Sequence, residues 1–218
     1  AGLAMGYLLQ RSLRFRASAS AYLNRTAVSS ATNNYIGTWS FWCKRGKLGA
    51  AQRLFEGGYP GGTDATVGEF YFDSSDKFVF AGYATTWRTS NQVFRDTSAW
   101  YHFVVTVDTT QATANNRVRV YVNGSEITSW ATLNNPTQNT TFGLNNNSVS
   151  LVIAADSYGL GQRFDGYLAE VNFIDGQALT PSSFGQTDAV TGVWTPKKYT
   201  GTYGTNGFYL PFSNNTSA

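Results

Sequence analysis

The stretch WYHFVVTVDTTQATANNRVRVYVNGSEI, residues 100–127, alternates apolar and polar side chains twice, around a polar loop. In its first half Tyr101, Phe103, Val105 and Val107 fall on one side of the chain, opposite His102, Val104, Thr106 and Asp108. In its second half Val118, Val120 and Val122 oppose Arg117, Arg119 and Tyr121. A period of two is that of a strand, whose successive side chains point to opposite faces. Asn123-Gly124 accepts positive φ at both positions and closes a hairpin. The same alternation returns in RSLRFRAS, TWSFWCK, GEFYFDSSDKFVFAGY (turning at Ser74-Ser75-Asp76), SLVIAADS, DGYLAEVNFIDG and NGFYLPF. No long helical pattern separates these runs, which excludes parallel crossover units. Only TPSSFGQ suggests a short helix, with Thr180 as N-cap and Pro181 at the first helical position. The expectation is an all-β chain, one antiparallel sandwich of two sheets, with Phe15, Phe41, Phe103, Val105, Val120 and Val171 in its core.

At 218 residues the chain is long enough for a core that needs no covalent staple. Aromatics reach 16% while charged residues make up 13%, about half the usual share, which suits strands and turns. No Pro/Ser-rich linker interrupts the middle. The domain reading is an N-terminal arm at 1–10, the sandwich at 11–190, and a C-terminal strand and tail at 191–218 packed on the same domain. The arm carries Leu3, Tyr7, Leu8 and Leu9, so it is expected to be covered by the domain's own edge or by a second subunit. The net charge is +3 with no basic run, which gives no indication of nucleic-acid binding. No apolar run approaches the ~20 residues that span a bilayer, and AGLAMGYLLQRS is too short in apolar residues for a signal peptide. The one cysteine, Cys43, excludes an internal disulfide and alternates with Trp39 and Phe41 as a buried hydrophobe would.

Catalysis is not expected. Glycoside hydrolysis needs two carboxyl groups ~5–5.5 Å or ~6.5–9.5 Å apart, and on one strand a retaining pair reads as carboxylates at alternate positions. Of the four glutamates, Glu56, Glu69, Glu126 and Glu170, none belongs to such a triplet. Glu69 and Asp73 come nearest, sharing a strand face with Tyr71, and read as a solvated face. A single histidine leaves no neighbourhood for a serine or cysteine nucleophile, and zinc lacks ligands.

The successive motifs SLRFRASASAYLNR, WSFWCKR, AWYHFVVTVD, RVRVYVNG and FDGYLAEVNFIDGQAL resemble the signatures of the concanavalin A-like jelly roll, in its laminin-G-like and pentraxin-like branch. The resemblance covers roughly residues 11–184. The ending, GQALTPSSFGQ through GVWTPKKYTGTYGTNGFYLPF, is similar to that of virion-associated proteins of tailed bacteriophages. The resemblance implies a single jelly-roll sandwich with His102 on a structural strand. It implies no organic cofactor. Relatives often bind calcium through loop oxygens, for which Asp156, Asp165, Asn145, Asn146 and Asn147 are the candidates here.

Sugar recognition combines flat aromatic faces with hydrogen-bonding side chains. Tyr59, Tyr83, Trp87, Trp130 and Tyr158 lie in or beside sequences that read as loops, with Arg88, Asn91 and Gln92 following Trp87. Trp87 is the foremost candidate; the alternative is that Trp87 and Trp130 cap the sandwich edges. The function expected is a non-catalytic virion structural protein with a lectin-like domain for host-surface glycans. It would sit on the phage particle surface as a homo-oligomer beside other virion proteins. The alternatives are a capsid-decoration or tail-joining protein that uses the sandwich for packing alone, and a degenerate glycoside hydrolase.

Overall fold

In the computed structural model, residues 9, 11–26, 29–58, 62–64, 66–145 and 150–213 are described. The apolar arm residues Leu3, Tyr7 and Leu8, together with Tyr59, Asn146 and Asn147, lie outside them. The strands in chain order are β1 (Leu13–Phe15), β2 (Leu23–Thr26), β3 (Ile36–Arg45), β4 (Gln52–Gly57), β5 (Gly68–Phe72), β6 (Lys77–Ala81), β7 (Thr86–Val93) and β8 (Tyr101–Asp108). They continue with β9 (Val118–Val122), β10 (Ser125–Glu126), β11 (Trp130–Leu133), β12 (Ser150–Ile153), β13 (Gly166–Asp175), β14 (Gly185–Thr187), β15 (Trp194–Pro196) and β16 (Phe208–Leu210). One seven-stranded sheet runs β1–β13–β3–β8–β9–β10, with β16 added alongside β13. The other runs β11–β7–β6–β5–β4–β12–β2. The chain is thus an all-β antiparallel sandwich of two sheets.

The alternation that predicts the strands also decides what lies between the sheets. Phe15, Phe41, Phe103, Val105, Val120 and Val171 are all buried. Phe78 of β6 stacks on Phe103 of β8 across the sandwich, centroids 4.6 Å apart, and Trp39 stacks on Phe173 at 4.5 Å. Each fully buried ring stabilises the fold by roughly 1.5–3 kcal/mol. Cys43 is buried among them, and burial pushes its thiol far above its ordinary range. Asn123 (φ 47°) and Gly124 (φ 83°) both take positive φ and turn β9 into β10, while Asn123 N–H donates to the His102 carbonyl of the neighbouring β8 at 2.8 Å.

Two local expectations change. TPSSFGQ yields only the 3-10 turn Pro181–Ser183; Pro181 starts it, but the Thr180 hydroxyl meets Ser182 Oγ at 2.9 Å and caps no backbone N–H. The sequence TWRTSNQ, read as a binding loop, is strand β7.

A second, smaller core covers the outer face of the first sheet. Val104, Tyr121, Ile174 and Phe184 are buried there, with Leu179, Tyr199 and Tyr203 packed against them. The chain after β13 therefore runs back over this face. β16 pairs with β13, and Tyr209 Oη donates to Glu170 Oε2 at 2.7 Å. The C-terminal segment thus covers part of the outer face of the first sheet.

Candidate functional site

Strands β4 and β5 form the floor of a cleft of about 230 Å³ on the outer face of the second sheet. A register shift between Arg53 and Phe55 breaks the alternation of β4. It turns both Leu54 and Phe55 into the core and lets Arg53 and Glu56, three residues apart, share the outer face. Glu56 lies directly opposite Glu69, and Arg53 opposite Tyr71. Arg53 joins the group: Nε to Glu56 Oε2 at 2.9 Å, Nη2 to Glu69 Oε2 at 3.0 Å, and the guanidinium 4.0 Å from the Tyr71 ring centroid.

Two loops wall the cleft. The first, after β12, folds over β4, where Arg53 N–H donates to the Gln162 carbonyl at 2.7 Å. Glu56 Oε1 anchors this loop, accepting from Ser157 N–H at 2.9 Å and Ser157 Oγ at 2.8 Å. Asp156 Oδ1 tightens it by accepting from Gly159 N–H at 2.8 Å; a Cβ at Gly161 would stand 2.8 Å from the other carboxyl oxygen. The loop presents Tyr158, 71% exposed. The second wall is the turn after β6, held by Asp64, which accepts from Ala84 N–H at 2.7 Å, Thr85 N–H at 3.1 Å and the Thr85 hydroxyl. A Cβ at Gly82 would come 2.7 Å from that carboxylate, so glycine permits the approach. This turn presents Tyr83, 49% exposed.

Burial and the adjacent Glu56 carboxyl, opposed by Arg53, raise Glu69 well above the usual carboxylate range. Glu69 is therefore not on a solvated face with Asp73. Asp73 instead closes its own turn, accepting from Ser75 N–H at 2.8 Å and Lys77 N–H at 2.9 Å.

The sequence-derived candidates separate. Tyr83 and Tyr158 meet in this cleft, with Arg53, Glu56, Glu69, Asp156 and Gln162. Trp130 and Arg88 border a different cleft of about 180 Å³, beside Val118, Ile127 and Leu133. Trp87, the foremost candidate, is 2% exposed and packs edge-on against Phe80, centroids 4.7 Å apart, so it offers no face to a ligand. Arg88 is buried too. Its guanidinium donates to the Trp87 carbonyl at 2.9 Å, the Val118 carbonyl at 3.1 Å, Asn135 Oδ1 at 2.8 Å and the Asn134 carbonyl, tying the two sheets together. Burial lowers its pKa to about 10. Asn91 and Gln92 are exposed on the end of β7, where Asn91 Nδ2 donates to Ser129 Oγ at 2.9 Å. Tyr59 lies outside the described residues.

Among the described residues the calcium candidates Asp156, Asp165 and Asn145 do not converge. Asp165 pairs with Arg14 at 2.6 Å. Asn145 is buried and donates Nδ2 to Asp175 Oδ1 at 2.8 Å, and Asp156 sits in the cleft wall. Among the described residues no group of three acidic, histidine or cysteine side chains is placed to hold a metal ion. His102 is buried beneath Trp194 on the covered face, where burial lowers its pKa to about 3.

Residues 16–183 match the family described as the concanavalin A-like lectin/glucanases superfamily, and the chain belongs to it. No curated protein sequence matches the chain. Among solved structures, the native heptameric SAP-like pentraxin from Limulus polyphemus is 13% identical at a TM-score of 0.50, over 81% of this chain and 85% of that one. Laminin alpha1 domains LG4-5 from mouse reach 0.52 at 10% identity, over 82% of this chain and 45% of that one. A Bacteroides ovatus protein described as carbohydrate-binding reaches 0.51 at 15% identity, over 80% of this chain and 54% of that one. The chain spans about half the length of the last two. At these identities the likeness is one of fold.

Proposed function

We propose that the chain is a non-catalytic, lectin-like module that binds glycans in the cleft between Tyr83 and Tyr158. The observation that carries this reading is the pair of exposed tyrosines standing over a polar floor of about 230 Å³. Such a cleft offers apolar ring faces for a pyranose and fixed polar groups for its hydroxyls. The superfamily, and the Bacteroides ovatus structure described as carbohydrate-binding, support the same class of ligand. The absence of catalysis rests on the carboxyl pair. Glu56 is already held by Ser157 N–H and Oγ and by Arg53, and Glu69 pairs with the same guanidinium, so both carboxyls are engaged in holding the cleft together.

The module acts on the surface of a bacteriophage virion, engaging host-surface glycans as a homo-oligomer beside other virion proteins. This part of the reading rests on the motif order and on the C-terminal ending. A glycan array probed with the parent protein and with the Tyr83→Ala/Tyr158→Ala double variant tests the binding reading. Binding by the parent that the double variant loses supports it; no bound glycan, or binding that survives in the double variant, sinks it. Immunogold labelling of phage particles tests the location.

A further inference from the structure

Resting on the glycan-binding reading, we infer that the Tyr83–Tyr158 cleft takes sugars that carry no anionic group, neutral or amino-bearing, and turns away sialylated, uronic-acid and sulfated chains. Three carboxyl groups, of Glu56, Glu69 and Asp156, line the cleft, and Arg53 is the one cation among its described lining residues. Recognition of an acidic sugar needs a guanidinium or ammonium with donors to spare, as in forked Arg–carboxylate pairs. Arg53 has little to give. Its Nε is on Glu56, its Nη2 on Glu69, and its plane lies over Tyr71. Drawing it toward a ligand anion would strip its partner from Glu56, a carboxyl only 3% exposed.

The remaining polar groups suit hydroxyls. The amide of Gln162 and the phenols of Tyr83 and Tyr158 line the same cleft. Each can donate or accept, so none demands charge on the ligand. An anionic substituent would instead face carboxyl oxygens in a half-enclosed space, where like charges are poorly screened. An ammonium group would find the opposite.

The test is a calorimetric comparison of matched oligosaccharides that share one neutral core. One is unmodified, one sialylated, one sulfated and one carries a free amine, and the core is chosen from neutral and amino-sugar array hits. The expected result is binding of the neutral and amino forms with the acidic forms weaker by at least about tenfold. Asp156→Asn should narrow that ratio severalfold, because it removes a carboxylate while keeping an acceptor for Gly159 N–H. Equal or tighter binding of the acidic forms overturns the inference and leaves the glycan-binding reading standing. An unchanged ratio in Asp156→Asn, with the variant folded, also overturns it, since the selectivity would not come from the carboxyl wall. Binding of no sugar of any charge removes the parent reading and this one together.

Discussion

The indole N–H of Trp194 donates to Nδ1 of His102 at 2.9 Å. An indole nitrogen can only donate, so Nδ1 must accept and the imidazole proton must sit on Nε2, which is 2.8 Å from Ser40 Oγ. Trp42 stacks on one face of the ring, 4.8 Å between centroids, while Trp194 lies beside it at 6.0 Å. Trp194 itself has no room to shift: a Cβ at Gly185 would stand 2.3 Å from its ring, and one at Gly124 2.7 Å. Protonating His102 would set two N–H groups against each other in a dry interface. The histidine is a neutral clamp for the C-terminal segment.

That arrangement predicts a pH dependence. His102 titrates near 3 when folded, against ~6.5 when unfolded, so protons bind preferentially to the unfolded chain. The stability that the neutral ring contributes is complete above about pH 6.5 and is lost as pH falls toward 3, with a slope approaching ~1.4 kcal/mol per pH unit. Urea denaturation between pH 7 and 4 should show this slope in the parent and a shallower one in His102→Gln. Equal slopes would mean that the histidine does not titrate as a buried base.

Trp87→Ala should destabilise the fold by about 3–5 kcal/mol, because it empties a buried site beside Phe80. The same change should leave glycan affinity per folded molecule unaltered. Calorimetric melting and binding at a temperature where the variant is folded check both; a loss of affinity with an unchanged melting temperature would return Trp87 to the site.

Glu69→Gln should be relatively better tolerated as pH rises. The parent carboxyl is raised in the folded state, so its contribution to stability diminishes as pH climbs above ~4.5, whereas the amide does not titrate. The difference in unfolding free energy between variant and parent, measured at pH 5 and pH 8, should move in favour of the variant. Movement in favour of the parent would show that the ion pair with Arg53 outweighs burial and the Glu56 charge.

Asp64→Ala should weaken glycan binding without unfolding the sandwich. Asp64 is not among the residues that line the cleft but fixes the turn that presents Tyr83. The expected stability cost is about 1–2 kcal/mol, from hydrogen bonds to a charged acceptor. Affinity and melting temperature on one sample separate this from global damage, and parent-like affinity would show that the turn needs no such support.

The strands readable from the sequence were those with one face between the sheets and unbroken alternation, such as β8, β9, β5 and β6. Two of the strands that alternation does not reveal, β4 and β7, bear on the candidate site. In β4 the bulge after Arg53 puts Leu54 and Phe55 both inward, so QRLFEG shows no period of two. In β7 the register slips so that Phe80 pairs with Arg88 and Ala81 with Thr86, and Trp87 and Arg88 are both buried in a segment whose composition looks like a loop. Tyr83 and Tyr158 were legible as aromatics in glycine-bearing turns. The carboxyl pair was not, because a search along one strand cannot see Glu56 opposite Glu69 on the next. Arg53 reaches Glu69 and Tyr71 on the next strand and Asp64 reaches a turn twenty residues on, which spacing along one strand does not reveal.

The most direct test of the account is calorimetric titration of one array-positive oligosaccharide into the parent and into Tyr83→Ala, Tyr158→Ala and Trp130→Ala. Both tyrosines are exposed, so their replacement should leave stability within about 0.5 kcal/mol while costing on the order of 2 kcal/mol of binding, roughly thirtyfold in Kd. Trp130→Ala, at the other cleft, should bind as the parent does. Loss of binding in Trp130→Ala, with parent-like titrations for both tyrosine variants, would contradict the account and move the site to the opposite end of the sheet.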